Sequence, residues 1–308
     1  MAINKKSMPI IGAIFVMFAA AMWGADGILL RPKLYHLDVP IVVFLEHFIA
    51  FVLMSGFLIY EFKELKKLNK NDWLSFFWIA LFGGAIGTMA ITKALFYGHF
   101  EHLSVIIILQ KLQPLFAITL SILILKEKPK KKFYIYALFA IIGSYLVTFG
   151  FATPVITGNK LFIASLLSLL AAFSWGSATV FGKKVVNKIN FRVATYIRFG
   201  LTSLIMFIII AVLNRFSHFN NVGKLELTTL LIIIFTSGSI AIFIYYYGLK
   251  WIMASKATIY ELIFPITAVI LDYIIHKNVL SIGQWIGTII IIFSMIKITT
   301  INSFKKNS

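Results

Sequence analysis

Eight ionisable side chains stand inside long apolar runs of this 308-residue chain: Asp26, Glu46, His47, Lys93, Lys111, Arg198, Glu261 and Asp272. Such a group costs at least about 2.5 kcal/mol on membrane-insertion scales, so it faces a cavity or a partner. Lys93 and Asp272 fall near the ends of their runs, where snorkelling explains them. The other six, with the amides Gln110 and Gln113, with Tyr260, and with Trp23 and Trp175, are the candidate substrate-binding or gating residues. Their chemistry is hydrogen bonding, ion pairing and proton carriage. Covalent catalysis is not indicated, because the chain has no His-Glu-x-x-His, Gly-x-Ser-x-Gly or Gly-x-Gly-Asp motif. His99 and His102 flank Glu101 with no third ligand in view, so no metal site is expected. The absence of cysteine excludes disulfides, iron–sulfur clusters and thiolate zinc sites. No resident cofactor is expected.

The elements that hold these residues are membrane spans. The chain is 60% hydrophobic and 13% charged, with a mean hydropathy of +0.93. A soluble domain is nearer half apolar and a quarter charged. The net charge of +18 sits in short gaps between apolar runs, where a membrane protein meets anionic headgroups, so nucleic acid is not an expected partner. Ten runs are read at 8–30, 39–60, 73–98, 103–125, 133–151, 161–182, 193–213, 228–249, 257–276 and 282–301. They are about twice the length of a transmembrane β-strand and do not alternate, so they are helices. Little chain remains for a soluble domain.

Alternate connections carry nineteen and six Lys and Arg residues. The positive-inside rule therefore places both termini in the cytoplasm of a plasma or inner membrane. Lys5, Lys6 and the Ala19–Ala21 run look like a signal peptide, but the first span has a counterpart in the second half and reads as retained.

That counterpart belongs to an internal repeat at an offset of 151 or 152. Trp23-Gly24 meets Trp175-Gly176, Ser104 meets Ser255, Gln110 meets Glu261 and Pro114 meets Pro265. A five-helix unit ends on the side opposite its start, so the second copy is inserted upside down. Inverted repeats of this kind are a recurring architecture of secondary transporters. The expected domains are 1–152 and 153–308.

With these residues in view, the chain resembles the EamA-type transporters of the drug/metabolite transporter superfamily over nearly its whole length. The resemblance rests on ten spans in two fives, the two Trp-Gly pairs, Pro114 and Pro265 in the fourth span of each half, Leu125-Lys126-Glu127, and Gly143. It implies an all-α polytopic fold and transport of a small metabolite, and it is nearly silent on the substrate. In two places the halves differ: Glu46-His47 matches Arg198, and Asn278 matches Glu127.

Depth adds an expectation about pairing. At 1.5 Å per residue, Glu46 and Lys111 both lie about 10–12 Å from the outer surface, and Arg198 and Glu261 about 6–8 Å from the inner one. Each pair is expected to face across the bundle, as a gate, a substrate clamp or a structural lock. Pro114 and Pro265 each remove the amide that would bond the carbonyl four residues earlier, on Gln110 and Glu261, so kinks are expected there. Ala80, Gly84, Gly83 and Gly87 have the spacing of close helix packing.

The function expected is a secondary transporter of a small organic solute, amino-acid-like, nucleobase-like or otherwise polar, moving by alternating access. Import and export are both open. Protons are the candidate coupling ion, the bilayer is the other partner, and the protein acts as a monomer or weak homodimer. No Walker A motif supports ATP-driven transport. A channel or scaffold is the alternative, with a membrane-embedded enzyme behind it.

Overall fold

The computed structural model describes residues 7–58, 61–97, 106, 109–153, 158–277 and 279–301. They form an all-helical, multi-pass bundle of ten membrane helices in two inverted sets of five. The helices are α1 (Met8–Leu29), α2 (Val39–Leu58), α3 (Lys70–Trp78, continuing to Tyr97), α4 (Gln113–Leu125, with helical residues just before it), α5 (Lys131–Phe149), α6 (Gly158–Val186), α7 (Phe191–Val212), α8 (Lys224–Ile233, continuing to Leu249), α9 (Ala254–Tyr260 and Ile263–His276) and α10 (Ile282–Thr300). Nine of the spans are long and apolar enough to cross a bilayer within the described residues; α4 is the shorter one.

Alternation of the helices gathers the lysine-rich connections at one end of the bundle and the lysine-poor connections at the other. Ion pairs tie the halves together at both ends. Arg215 pairs with Asp38 at the lysine-poor end, and Lys188 with Asp72 and Arg192 with Glu61 at the lysine-rich end. Large apolar side chains such as Ile14, Phe18, Leu123, Leu138, Phe162 and Ile289 point outward. In water that surface would be a liability; here it is the lipid face.

Four helices depart from regularity, and they do so in repeat-related pairs. α3 passes through π-helical turns at Ile79–Ile86 and α8 at Ile234–Gly238. α4 is preceded by a turn at Lys111–Leu112, and α9 is divided by a turn at Glu261–Leu262. Pro114 and Pro265 lie in the first turn of the helix that follows each break, where a missing amide costs nothing. The expectation of an open carbonyl at Glu261 is corrected: that oxygen accepts from the Phe264 amide at 3.0 Å. A tight three-residue turn satisfies it in place of the four-residue bond that proline removes.

Packing crosses between the two sets of five. α1 lies against α8 and α9, while α6 lies against α3 and α4. α5 and α10 form a further extensive pair, in close approach at Gly143 and Gly287. The Gly83, Gly84 and Gly87 face of α3 is closed by Ala178, Thr202 and Trp175, the contact that small-residue spacing predicts.

Candidate functional site

The site is built on the interrupted helices. Gly24 follows Trp23 on α1, and a Cβ there would come within 2.5 Å of the Phe264 carbonyl oxygen. Gly176 follows Trp175 on α6, and a Cβ there would meet the Gln113 carbonyl oxygen at 2.8 Å. Both carbonyls belong to the residue just before a proline. Each Trp-Gly pair thus seats one repeat's first helix on the break in the other repeat, as only a residue without a side chain allows.

Beside these contacts lies a buried polar layer. Glu261 Oε1 accepts from the Tyr245 hydroxyl at 2.6 Å, and Glu261 Oε2 accepts from the Gln113 amide at 2.6 Å. Thr179 on α6 meets the Tyr245 hydroxyl at 2.9 Å. With that hydroxyl donating to Glu261, Thr179 is the donor to the tyrosine oxygen. Helices α4, α6, α8 and α9 therefore converge on one carboxylate. Lys111, at the break before α4, is 6% exposed and holds its ammonium 3.5 Å from the centre of the Phe264 ring. Trp23 borders the layer, its ring 5.4 Å from that of Tyr245. Its indole NH donates at 2.8 Å to the Ser237 carbonyl in the π-helical part of α8.

A second cluster stands at the lysine-poor end. Arg31, in a single-turn 3-10 helix (Arg31–Leu34) between α1 and α2, donates through Nε to Asp26 at 2.8 Å. Its guanidinium also contacts both carboxylate oxygens of Glu46, at 2.9 and 3.1 Å. Burial opposes the guanidinium's charge, but Glu46 and Asp26 outweigh it and raise its pKa. A small cavity adjoins the cluster, lined by Arg31, Tyr35, Val43, Thr88 and Thr92.

These contacts replace both pairs expected from depth. Glu46 is held by Arg31 and not by Lys111; Glu261 is held by Tyr245 and Gln113 and not by Arg198. Arg198 instead donates to the Tyr246 hydroxyl at 3.3 Å and lies over that ring. Depth is one coordinate, and the direction around each helix axis decides which groups of equal depth meet. His47 donates through Nδ1 to the Val43 carbonyl at 2.8 Å and packs edge-on against Phe199. Tyr260 turns away from Glu261 and bonds Thr299 on α10 at 2.9 Å. Gln110 is buried next to Lys111. Trp175 packs against Gly87 beyond the π turns of α3. Ser104, His99, Glu101, His102 and Asn278 lie outside the described residues.

Three participants escape a reading of the sequence. Thr179 sits among many similar residues with no local mark, and the run Tyr245-Tyr246-Tyr247 offers at most one or two rings to the centre without marking which. Arg31 has a signal, since it lies five residues after Asp26, but its position in a connection suggested an interfacial charge. Glu127, the end of the Leu125-Lys126-Glu127 motif, clasps the start of α9: it accepts from the amides of Ala254 (2.7 Å) and Ser255 (3.1 Å) and from the Ser255 hydroxyl (2.6 Å).

Residues 10–149 and 162–300 each match the model of the EamA-like transporter family. The chain is 49% identical to a protein of Fusobacterium nucleatum named riboflavin transporter ImpX, over 94% of this chain and 98% of that one. It is 26% identical to a Synechocystis protein named uncharacterized transporter sll1164, over 77% of this chain and 68% of that one. A protein of known crystal structure, 14% identical, superimposes with a TM-score of 0.72 over 98% of each chain and shares the fold.

Proposed function

The chain belongs to the EamA-like transporter family, and from that membership we propose that it is a secondary carrier of riboflavin working by alternating access. The observation that carries the substrate is the 49% identity, over nearly the whole of both chains, to a protein named as a riboflavin transporter. The site's chemistry supports it. Riboflavin is a flat tricyclic ring with a polar, carbonyl-bearing edge and a polyol tail. A layer that sets Trp23, Tyr245 and Phe264 beside Gln113, Glu261, Thr179 and Lys111 offers faces for the ring and hydrogen-bonding groups for its polar parts. The crossed packing of inverted repeats supports alternating access. The Arg31 cluster and the Glu127 clasp are the closing contacts at the two ends under this reading. Both termini and the lysine-rich end face the cytoplasm, as the basic-residue asymmetry supports. Asp26, Glu46, His47 and Glu261 are the groups able to carry a coupling proton.

Uptake of labelled riboflavin by a bacterial host unable to make it tests this function. Expression of the chain should raise uptake severalfold over an empty vector, with an excess of unlabelled riboflavin competing. In the same cells, an impermeant thiol reagent should label Thr153→Cys and spare Asn71→Cys. No uptake above background contradicts the substrate, and the reverse labelling contradicts the orientation.

A further inference from the structure

Lys111 is a buried cation without a hydrogen-bond acceptor among the described residues. Its side chain is more than nine-tenths buried, and its ammonium rests on the face of Phe264. An ammonium has three donors, and an aromatic face answers only part of its charge. Its expected partner, Glu46, is taken by Arg31. The carboxylate of this layer, Glu261, three residues before Phe264, has both oxygens occupied by Tyr245 and Gln113. Donors left unmade in a dry layer are costly, so a ligand that completes them binds at an advantage. The missing acceptor is either an anion or a neutral carbonyl. The charge of Glu261 already offsets that of Lys111 within the layer, so a phosphate would add a charge with no partner. A carbonyl would not.

We propose that Lys111 is the specificity-determining donor to the substrate, reaching a carbonyl oxygen on the pyrimidinedione edge of a neutral flavin. This inference rests on the flavin reading above and deepens it. It makes the break before α4 a device for placing one ammonium against a substrate acceptor, and it sets riboflavin apart from ring analogues that lack a good oxygen acceptor at that edge. Hydrogen bonds from charged donors change affinity by roughly ten- to a hundredfold.

Titration of purified full-length protein with riboflavin, followed by quenching of flavin fluorescence, tests the assignment. 2-Thioriboflavin and 4-thioriboflavin serve as competitors. Sulfur accepts hydrogen bonds poorly, so one thio compound should bind the parent protein at least about tenfold more weakly than riboflavin. Lys111→Met should weaken riboflavin at least about tenfold and abolish the difference between riboflavin and the thio compounds. Equal riboflavin affinity in Lys111→Met and parent overturns the inference. So does a parent that binds both thio compounds as tightly as riboflavin; that measurement needs no variant and decides the matter if Lys111→Met does not fold. A parent that binds no riboflavin overturns the flavin reading, and this inference with it, whereas a riboflavin-binding parent with an indifferent Lys111→Met overturns the inference alone.

Discussion

Arg31 joins two buried carboxylates from different helices, and it does so from a connecting turn. Its own side chain is 31% exposed, whereas those of Asp26 and Glu46 are 6% and 8% exposed. The carboxylates therefore depend on the arginine more than it depends on them. Arg31→Met leaves two like charges in a poor solvent. Removal of one partner from a buried pair costs about 3–5 kcal/mol, and access of water to this site places the expected loss at the low end. Adding Asp26→Asn and Glu46→Gln should restore most of that stability, because no charge then remains unpaired. Thermal unfolding in detergent checks both statements; an Arg31→Met protein as stable as the parent contradicts them. The two carboxylates of this cluster were legible in the sequence as ionisable groups within apolar runs, whereas Arg31 was not. Their grouping was not, because sequence gives depth along a helix and not the direction a neighbouring loop takes when it folds back.

At the scale of the helix, the two repeats hold each other through glycine. The oxygen that a Gly24 side chain would strike, 2.5 Å away, is backbone and cannot move aside without shifting the second half of α9. Gly176 stands in the same relation to α4 at 2.8 Å. Gly24→Ala and Gly176→Ala should each displace a broken helix and lower transport more than tenfold at similar expression. Gly56→Ala is the control: nothing lies within 4 Å of its Cβ, and alanine favours the helix there. Transport by Gly24→Ala at the parent rate contradicts this account of the packing. Much of the arrangement was readable, because Trp-Gly and Pro recur at a constant offset and are less common than the Leu and Ile around them. The π-helical turns of α3 and α8 were not readable. Their apolar sequences fit a regular helix equally well, and the tertiary contacts of α1 and α6 accompany the extra residue per turn. The α9 break was placed by Pro265, but its carbonyl bookkeeping was not, since proline's missing bond is replaced one residue away.

At the scale of the molecule, an odd number of helices per repeat relates the two halves by a two-fold rotation about an axis in the bilayer plane, so each structural device has a relative at the opposite end. The relatives are unequal. Glu127 clasps the start of α9 at the lysine-rich end, while its repeat partner is Asn278. The lysine-poor end is instead tied by Arg31 and by Arg215 with Asp38. Unequal ties at the two ends suit a carrier that rests closed on one side and exchanges through a central layer, whereas a pore needs neither. Under the proposed function the protein exchanges riboflavin as a carrier, and counterflow separates that from a pore. Proteoliposomes loaded with excess unlabelled riboflavin and diluted into a trace of labelled riboflavin should accumulate label transiently above its equilibrium level, then release it as the internal pool runs down. A channel would fill without overshoot, and vesicles that gain no more label than protein-free controls, or that gain it without overshoot, would contradict the account.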